Sequence, residues 1–94
     1  MPNATSTSKR VFVVDDSTMA VAVTVQLLKD AGYDAEGQVG SADAMERIRE
    51  LKPDFVISDV MMPGINGFEL LNMIRGNDNL DHVRIIMASA KAYE

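Results

Sequence analysis

Ninety-four residues, 47% hydrophobic and 24% charged, suffice for one folded domain and are too apolar for a disordered chain. A net charge of −5 removes the basic footprint that grips a nucleic acid backbone, so no direct nucleic acid contact is expected. The absence of cysteine excludes disulfide frameworks and thiolate metal sites, and the single histidine, His82, excludes a multi-histidine site.

Residues 1–8 are polar, with nothing to bury, and predict a disordered tail ahead of one domain over residues 9–94. The start has no apolar signal core. The most apolar run, Met19 to Val25, falls far short of the roughly 20 residues a membrane span needs. A soluble, cytoplasmic chain with no membrane contact is expected. Val11 to Val14 form a β-branched and aromatic run ending in acids, the pattern of a buried parallel strand that opens into a loop. Asp16, Ser17 and Thr18 are all good N-caps for a helix from about Met19 to Leu28. Gly32 suits the left-handed position after its end.

A short second strand is predicted near Asp34 to Val39, from a polar and glycine-containing stretch. Ser41 is predicted to cap a second helix over residues 42–51, with Ala44, Met45, Ile48 and Leu51 on one face and Pro53 closing the segment. Phe55 to Ser58 predict a third strand, ending at Asp59. From Gly67 to Ile74, the residues Phe68, Leu70, Leu71 and Ile74 recur at helical spacing, and Gly76 to Asn79 break the helix. Val83 to Ala88 predict a fourth strand leading to Ser89. Strict alternation of strand and helix argues for an α/β fold, a parallel sheet with right-handed crossovers and helices on both faces.

In open α/β sheets the ligand site lies beyond the carboxyl ends of the strands. There this chain offers Asp15 and Asp16 after the first strand, Asp59 after the third and Ser89 after the fourth. Three carboxylates brought within a few ångströms repel one another and raise each other's pKa unless a cation sits among them. An all-oxygen donor set suits Mg²⁺ better than zinc. Asp59 then becomes a nucleophile able to form an acyl phosphate, with Ser89 offering a hydroxyl to a phosphoryl oxygen.

Each of these residues alone has a plainer reading. Asp-Asp-Ser after a strand is often a helix cap, Asp59 before Met-Met-Pro-Gly could be a turn acid, and an isolated Ser89 is commonly a surface hydroxyl. His82 reads as a loop histidine. Arg47 and Arg49 with Glu46 and Glu50 read as a solvated helix face. The seven methionines read mostly as core filler.

The joint pattern is more specific. Val-Phe-Val-Val-Asp15-Asp16-Ser17, then Asp59-Val-Met-Met-Pro63-Gly-Ile-Asn-Gly67-Phe-Glu-Leu, then Ile-Ile-Met-Ala-Ser89-Ala resembles the response-regulator receiver domains of bacterial two-component signalling. The resemblance runs from about Lys9 to Glu94. It implies a flavodoxin-like doubly wound sheet and a signalling module, not an enzyme, in which a histidine kinase or phosphotransfer protein phosphorylates Asp59. It further implies Mg²⁺ held by Asp16, by Asp15 through water, by Asp59 and by the backbone carbonyl of Met61. Ser89 stands where the family has its switch hydroxyl, and Pro63 and Gly67 shape the loop after the nucleophile, Gly67 through backbone freedom.

Members of that family also carry a lysine and an aromatic residue on a fifth strand, roughly twenty residues after the switch hydroxyl. Lys91 and Tyr93 lie too close to Ser89 to take these places. Ending at Glu94, the chain reads as lacking the fifth strand and last helices. An exposed fourth-strand edge and a poorly covered first helix are therefore expected, and with them a homodimer or an exchange of elements. A phosphorylation-deficient interaction module is the alternative function. An aspartyl phosphohydrolase fits less well, because the acid such enzymes carry two residues after the nucleophile is here Met61.

Overall fold

Val11 to Val14 build the centre of the sheet. In the computed structural model of the protein, which describes residues 8–88, they lie in β1 (Arg10–Asp15) and none is more than 3% exposed. Burial on both faces explains why the run is uninterrupted instead of alternating. β1 pairs in parallel with β2 (Asp34–Val39) on one side and with β3 (Phe55–Ser58) on the other, and β3 pairs in parallel with β4 (Arg84–Met87). The order is β2-β1-β3-β4. The crossovers are α1 (Thr18–Asp30), α2 (Ala44–Leu51) and α3 (Gly67–Arg75), with one turn of 3-10 helix (Asp78–Leu80) before β4. The expected doubly wound α/β fold is therefore present, including the weakly signalled β2. The tail before Ser8, and Ser89, Lys91 and Tyr93, lie outside the described residues.

Alternation along β1 sends Phe12 and Val14 to one face and Val11 and Val13 to the other. Phe12, Val14 and Val56 meet Ala44, Met45 and Ile48 of α2, Leu70 and Ile74 of α3, and Leu80 and Val83 in a single buried cluster. Each large side chain fully buried there contributes about 1.5–3 kcal/mol, which makes this face the main source of stability. The opposite face carries α1, whose Val21 and Val25 lie so close over Gly37 of β2 that a Cβ there would meet them at 2.4 and 2.8 Å. Glycine in β2 weakens the local strand signal, yet it is what lets α1 approach. Of α1, only Val21 is buried, and Met19, Val23 and Leu27 are exposed. Among the described residues, no helix is long and apolar enough to cross a membrane.

The helix ends are set largely by local chemistry. Ser17 Oγ accepts the Ala20 N–H at 3.2 Å. Gly32, at φ +98, closes α1 in a Schellman motif: its N–H reaches the Lys29 carbonyl and the Tyr33 N–H reaches the Leu28 carbonyl, both at 3.0 Å. α3 opens on a capping box that the sequence reading passed over, with Asn66 Oδ1 accepting the Glu69 N–H and Glu69 Oε1 accepting the Asn66 N–H, both at 2.9 Å.

Four expectations about the helices and the core need correction. The methionines are not mostly core filler: among the described residues Met45 and Met62 are buried, whereas Met19, Met61 and Met73 are exposed. Ser41 does not cap α2: the helix starts at Ala44 behind Asp43, which has left-handed backbone (φ 63), while the Ser41 hydroxyl is used elsewhere. Phe68 is 56% exposed, because it sits about 200° around the helix from the buried Leu70. Arg47 is not simply a solvated side chain, since it pairs with Glu36 of β2 as well as with Glu50 at 2.7 Å.

The close seat of α1 on Gly37 yields a test. Gly37→Ala is expected to push α1 from the sheet and cost about 1–3 kcal/mol, read as a lower urea midpoint with an unchanged slope.

Candidate functional site

The pairing of β1 with β3 continues one residue past β3, where the Asp59 N–H donates to the Val14 carbonyl at 3.0 Å. Asp59 is thereby held beside the last residue of β1, Asp15. Carboxylate oxygens of Asp15, Asp16 and Asp59 all lie within 4.8 Å of one another. The three form a gradient from Asp59, 2% exposed, through half-buried Asp15 to exposed Asp16. Asp15 Oδ1 accepts the Ser17 N–H at 3.0 Å, so the turn into α1 fixes one carboxylate while Ser17 caps the helix. Asp15, Asp59, Ala20, Thr24 and Ala88 line a shared depression, which places the residue before Ser89 at the site. Ser89 itself lies outside the described residues.

The loop between Asp59 and α3 is anchored at several points. Buried Met62 roots it in the core, and the Gly67 N–H closes it on the Val60 carbonyl at 3.0 Å. Met61, two residues after Asp59, is 59% exposed on this loop. Pro63 contributes its carbonyl, which accepts the Ser41 hydroxyl at 2.9 Å. Gly67 is needed for space and not for conformational freedom. A Cβ there would lie 2.6 Å from the Asp59 carbonyl oxygen and 2.8 Å from Met87 Sδ, whereas the left-handed glycine of this loop is Gly64 (φ +81). Two polar contacts escaped the sequence reading. Buried Ser58 donates its hydroxyl to the Asp59 carbonyl at 2.9 Å, and Ser41 reaches this loop from the β2–α2 connection. Nothing local in the sequence signals either one.

Electrostatics at the site oppose the packing that assembles it. The Asp15 carboxyl is raised above its ordinary value of 3.8, first by burial and then by the nearby Asp59 and Asp16, against a downward pull from the Ser17 N–H. Three carboxylates with oxygens within 4.8 Å of one another repel, and a cation among them would relieve that repulsion. The donor set contains oxygen alone, which fits a hard divalent ion and not a thiolate or imidazole metal. A buried carboxylate facing such an ion is also suited to nucleophilic attack on a phosphoryl group.

Comparison with known proteins places this geometry. The profile of the response regulator receiver domain matches residues 11–94. The chain is 35% identical over 83 residues to the chemotaxis protein CheY of Thermotoga maritima, covering 87% of this chain and 68% of that protein. It is 32% identical over 83 residues to the DNA-binding response regulator MtrA of Mycobacterium tuberculosis, covering 88% of this chain and 35% of that protein. The chain thus spans about a third of that relative's length. Among solved structures, the chemotaxis response regulator CheY4 of Vibrio cholerae matches with a TM-score of 0.84 at 30% identity, covering 93% of this chain and 72% of that one. The N-terminal domain of a response regulator receiver protein from Methanoculleus marisnigri matches with a TM-score of 0.81 at 30% identity, covering 92% and 70% respectively.

The raised Asp15 carboxyl makes a pH prediction. A carboxyl whose pKa is higher in the fold than in the unfolded chain favours folding when protonated. That contribution is complete below 3.8 and is lost as pH rises through the raised folded value. In metal-free buffer at neutral pH, Asp15→Asn is expected to melt above the parent chain. The gap should narrow as the pH is lowered toward 3.8, read by circular dichroism melts across pH.

Proposed function

Because the chain belongs to the response regulator receiver domain family, we propose that it is a phosphoacceptor of two-component signalling, with Asp59 as the residue phosphorylated. The observation that carries this reading is the convergence of buried Asp59 with Asp15 and Asp16 within 4.8 Å. A carboxylate oxygen of Asp59 attacks the phosphorus of a phosphohistidine on a histidine kinase or phosphotransfer protein. The phosphorus–nitrogen bond breaks, the imidazole leaves, and an acyl phosphate remains on Asp59.

Asp15, Asp16, Asp59 and the Met61 backbone carbonyl are the groups proposed to hold Mg²⁺. When bound, Mg²⁺ neutralises charge gathering on the phosphoryl oxygens. Ser89 is proposed to donate its hydroxyl to a phosphoryl oxygen, while Pro63 and Gly67 set the course of the loop. In this reading residues 9–94 form the receiver unit behind a tail of residues 1–8 and act in the cytoplasm as a signalling module, not as an enzyme. The net charge of −5 argues against a direct nucleic acid contact.

Titration with beryllium fluoride and Mg²⁺, followed by amide NMR, tests the reading. Saturable, Mg²⁺-dependent shifts at residues 15, 16 and 59–61 are expected, weakened at least about 100-fold by Asp59→Asn, since the carboxylate oxygen that coordinates beryllium is then replaced by a neutral amide. A folded chain that captures no beryllium fluoride would discard phosphotransfer.

One feature favours a second reading, in which the module works through pairing independently of phosphorylation. Among the described residues β4 is an outer strand, Ile86 is 47% exposed, and Leu28, Tyr33, Phe55 and Ile57 border an apolar trough beside it. Unpaired strand edges flanked by apolar surface favour association. A homodimer, or an exchange of elements through the β4 edge and α1, is expected by sedimentation at micromolar concentration, with Ile86→Lys returning the monomer. A monomeric parent chain under those conditions rules the pairing out.

A further inference from the structure

The connection between β2 and α2 touches both acid-bearing segments. The Gly40 N–H donates to the Asp15 carbonyl at 2.7 Å. The next residue, Ser41, donates its hydroxyl to the Pro63 carbonyl at 2.9 Å and accepts the Ile65 N–H at 3.2 Å. Two adjacent residues therefore grip the end of β1 on one side and the loop leaving Asp59 on the other. Ser41 is 8% exposed, and its hydroxyl serves as both donor and acceptor. Between its two partners, Gly64 turns with left-handed backbone (φ +81), and a Cβ there would lie 3.1 Å from Ser41 Oγ. The loop is wrapped around this one hydroxyl. Gln38 braces the connection from below, donating through Nε2 to the Gly40 carbonyl at 3.0 Å and also to the Ala42 carbonyl.

We propose that Ser41 is a positioning residue for the acid site: together with Gly40 it staples the Asp15 segment to the loop that carries Met61. The hydroxyl touches no reacting group. It acts by limiting how far the carboxylates at the end of β1 and the loop after Asp59 move apart. Oxygen ligands contributed by two separate loops bind a small hard cation well only if their spacing is held, since Mg²⁺ demands near-ideal octahedral geometry. Groups hydrogen-bonded directly to metal ligands commonly change affinity by about 10–100-fold, and a contact two residues from a ligand is expected near or below the low end of that range. The proposal rests on the metal-holding reading given above.

The experiment compares the parent chain with Ser41→Ala, Ser41→Thr and Gln38→Ala. It measures Mg²⁺ affinity by amide NMR titration, hydrogen exchange of the Ile65 amide, and urea midpoints. Ser41→Ala is expected to weaken Mg²⁺ roughly five- to twentyfold and to speed Ile65 exchange about tenfold, as loss of two hydrogen bonds implies. Ser41→Thr, which keeps the hydroxyl, is expected to restore both. Gln38→Ala should weaken Mg²⁺ by about two- to fivefold, because it loosens the connection without removing the hydroxyl. A Ser41→Ala chain that binds Mg²⁺ within about twofold of the parent overturns the proposal and leaves Ser41 a structural contact. If Ser41→Ala does not fold, Gln38→Ala decides, and unchanged affinity there overturns it.

A parent chain that holds no Mg²⁺ defeats the metal reading separately. The staple is then judged by the Asp15 and Asp16 amide resonances in Ser41→Ala. Their displacement together with faster Ile65 exchange supports it, and undisturbed resonances overturn it.

Discussion

The parallel pairing of β3 with β1, on the side opposite β2, is the constraint from which the rest of this molecule follows. Neighbouring strands sit about 4.8 Å apart, so whatever residues end them are held side by side. Here those residues are Asp15 and Asp59, and the Asp59 N–H continues the ladder onto the Val14 carbonyl. Reversal of strand order at β1 sends α1 to one face and α2 with α3 to the other, which opens a crevice above the strand ends. The acids stand at the mouth of that crevice. Close packing beneath them, from Phe12, Val14 and Val56, holds the strands that carry them.

Stability and chemistry pull against each other at this point. Burying Asp59 beside two other carboxylates is unfavourable, and the neighbouring Asp15 carboxyl is raised first by its own burial and then by Asp59 and Asp16. The cost is borne by the apolar cluster on the α2 and α3 face and by polar contacts that hold the Asp59 backbone. Ser58 Oγ donates to the Asp59 carbonyl, and Gly67 packs against the same oxygen with no room for a side chain. The site is therefore a locally disfavoured charge arrangement on a rigid support. In the proposed function, a cation would meet three carboxylates already gathered within 4.8 Å of one another.

The two faces of the sheet differ in how completely they are closed. Residues of α2, α3 and the turn before β4 enclose Leu70, Ile74, Leu80 and Val83 almost fully. Over the other face α1 covers chiefly β1 and β2 and leaves Ile86 and the trough beside it accessible. That asymmetry separates a face that supplies stability from one with surface to offer. Accordingly α1 keeps the apolar side chains of Met19, Val23 and Leu27 exposed, with only Val21 buried.

Much of the fold is written in short-range chemistry. The uninterrupted apolar run of β1, the Ser17 cap, the Gly32 terminus and the strict alternation of strand and helix are set by neighbours a few residues away, and sequence reading recovers them. The acids, too, could be placed at strand ends, because each follows a buried run directly. What the sequence could not decide was anything that joins distant segments. Ser41 looks like a helix cap until packing presents it with Pro63 and Ile65, 22 and 24 residues away. Gly67 looks like a residue chosen for backbone freedom until the Asp59 carbonyl is found where its Cβ would be. Phe68 counts toward an apolar face until Leu70 and Ile74 turn the helix and leave it in solvent. Periodicity and capping depend on local geometry that every copy of a motif shares. Which hydroxyl meets which carbonyl depends on strand order and helix seating, and these are settled only when the whole sheet is packed.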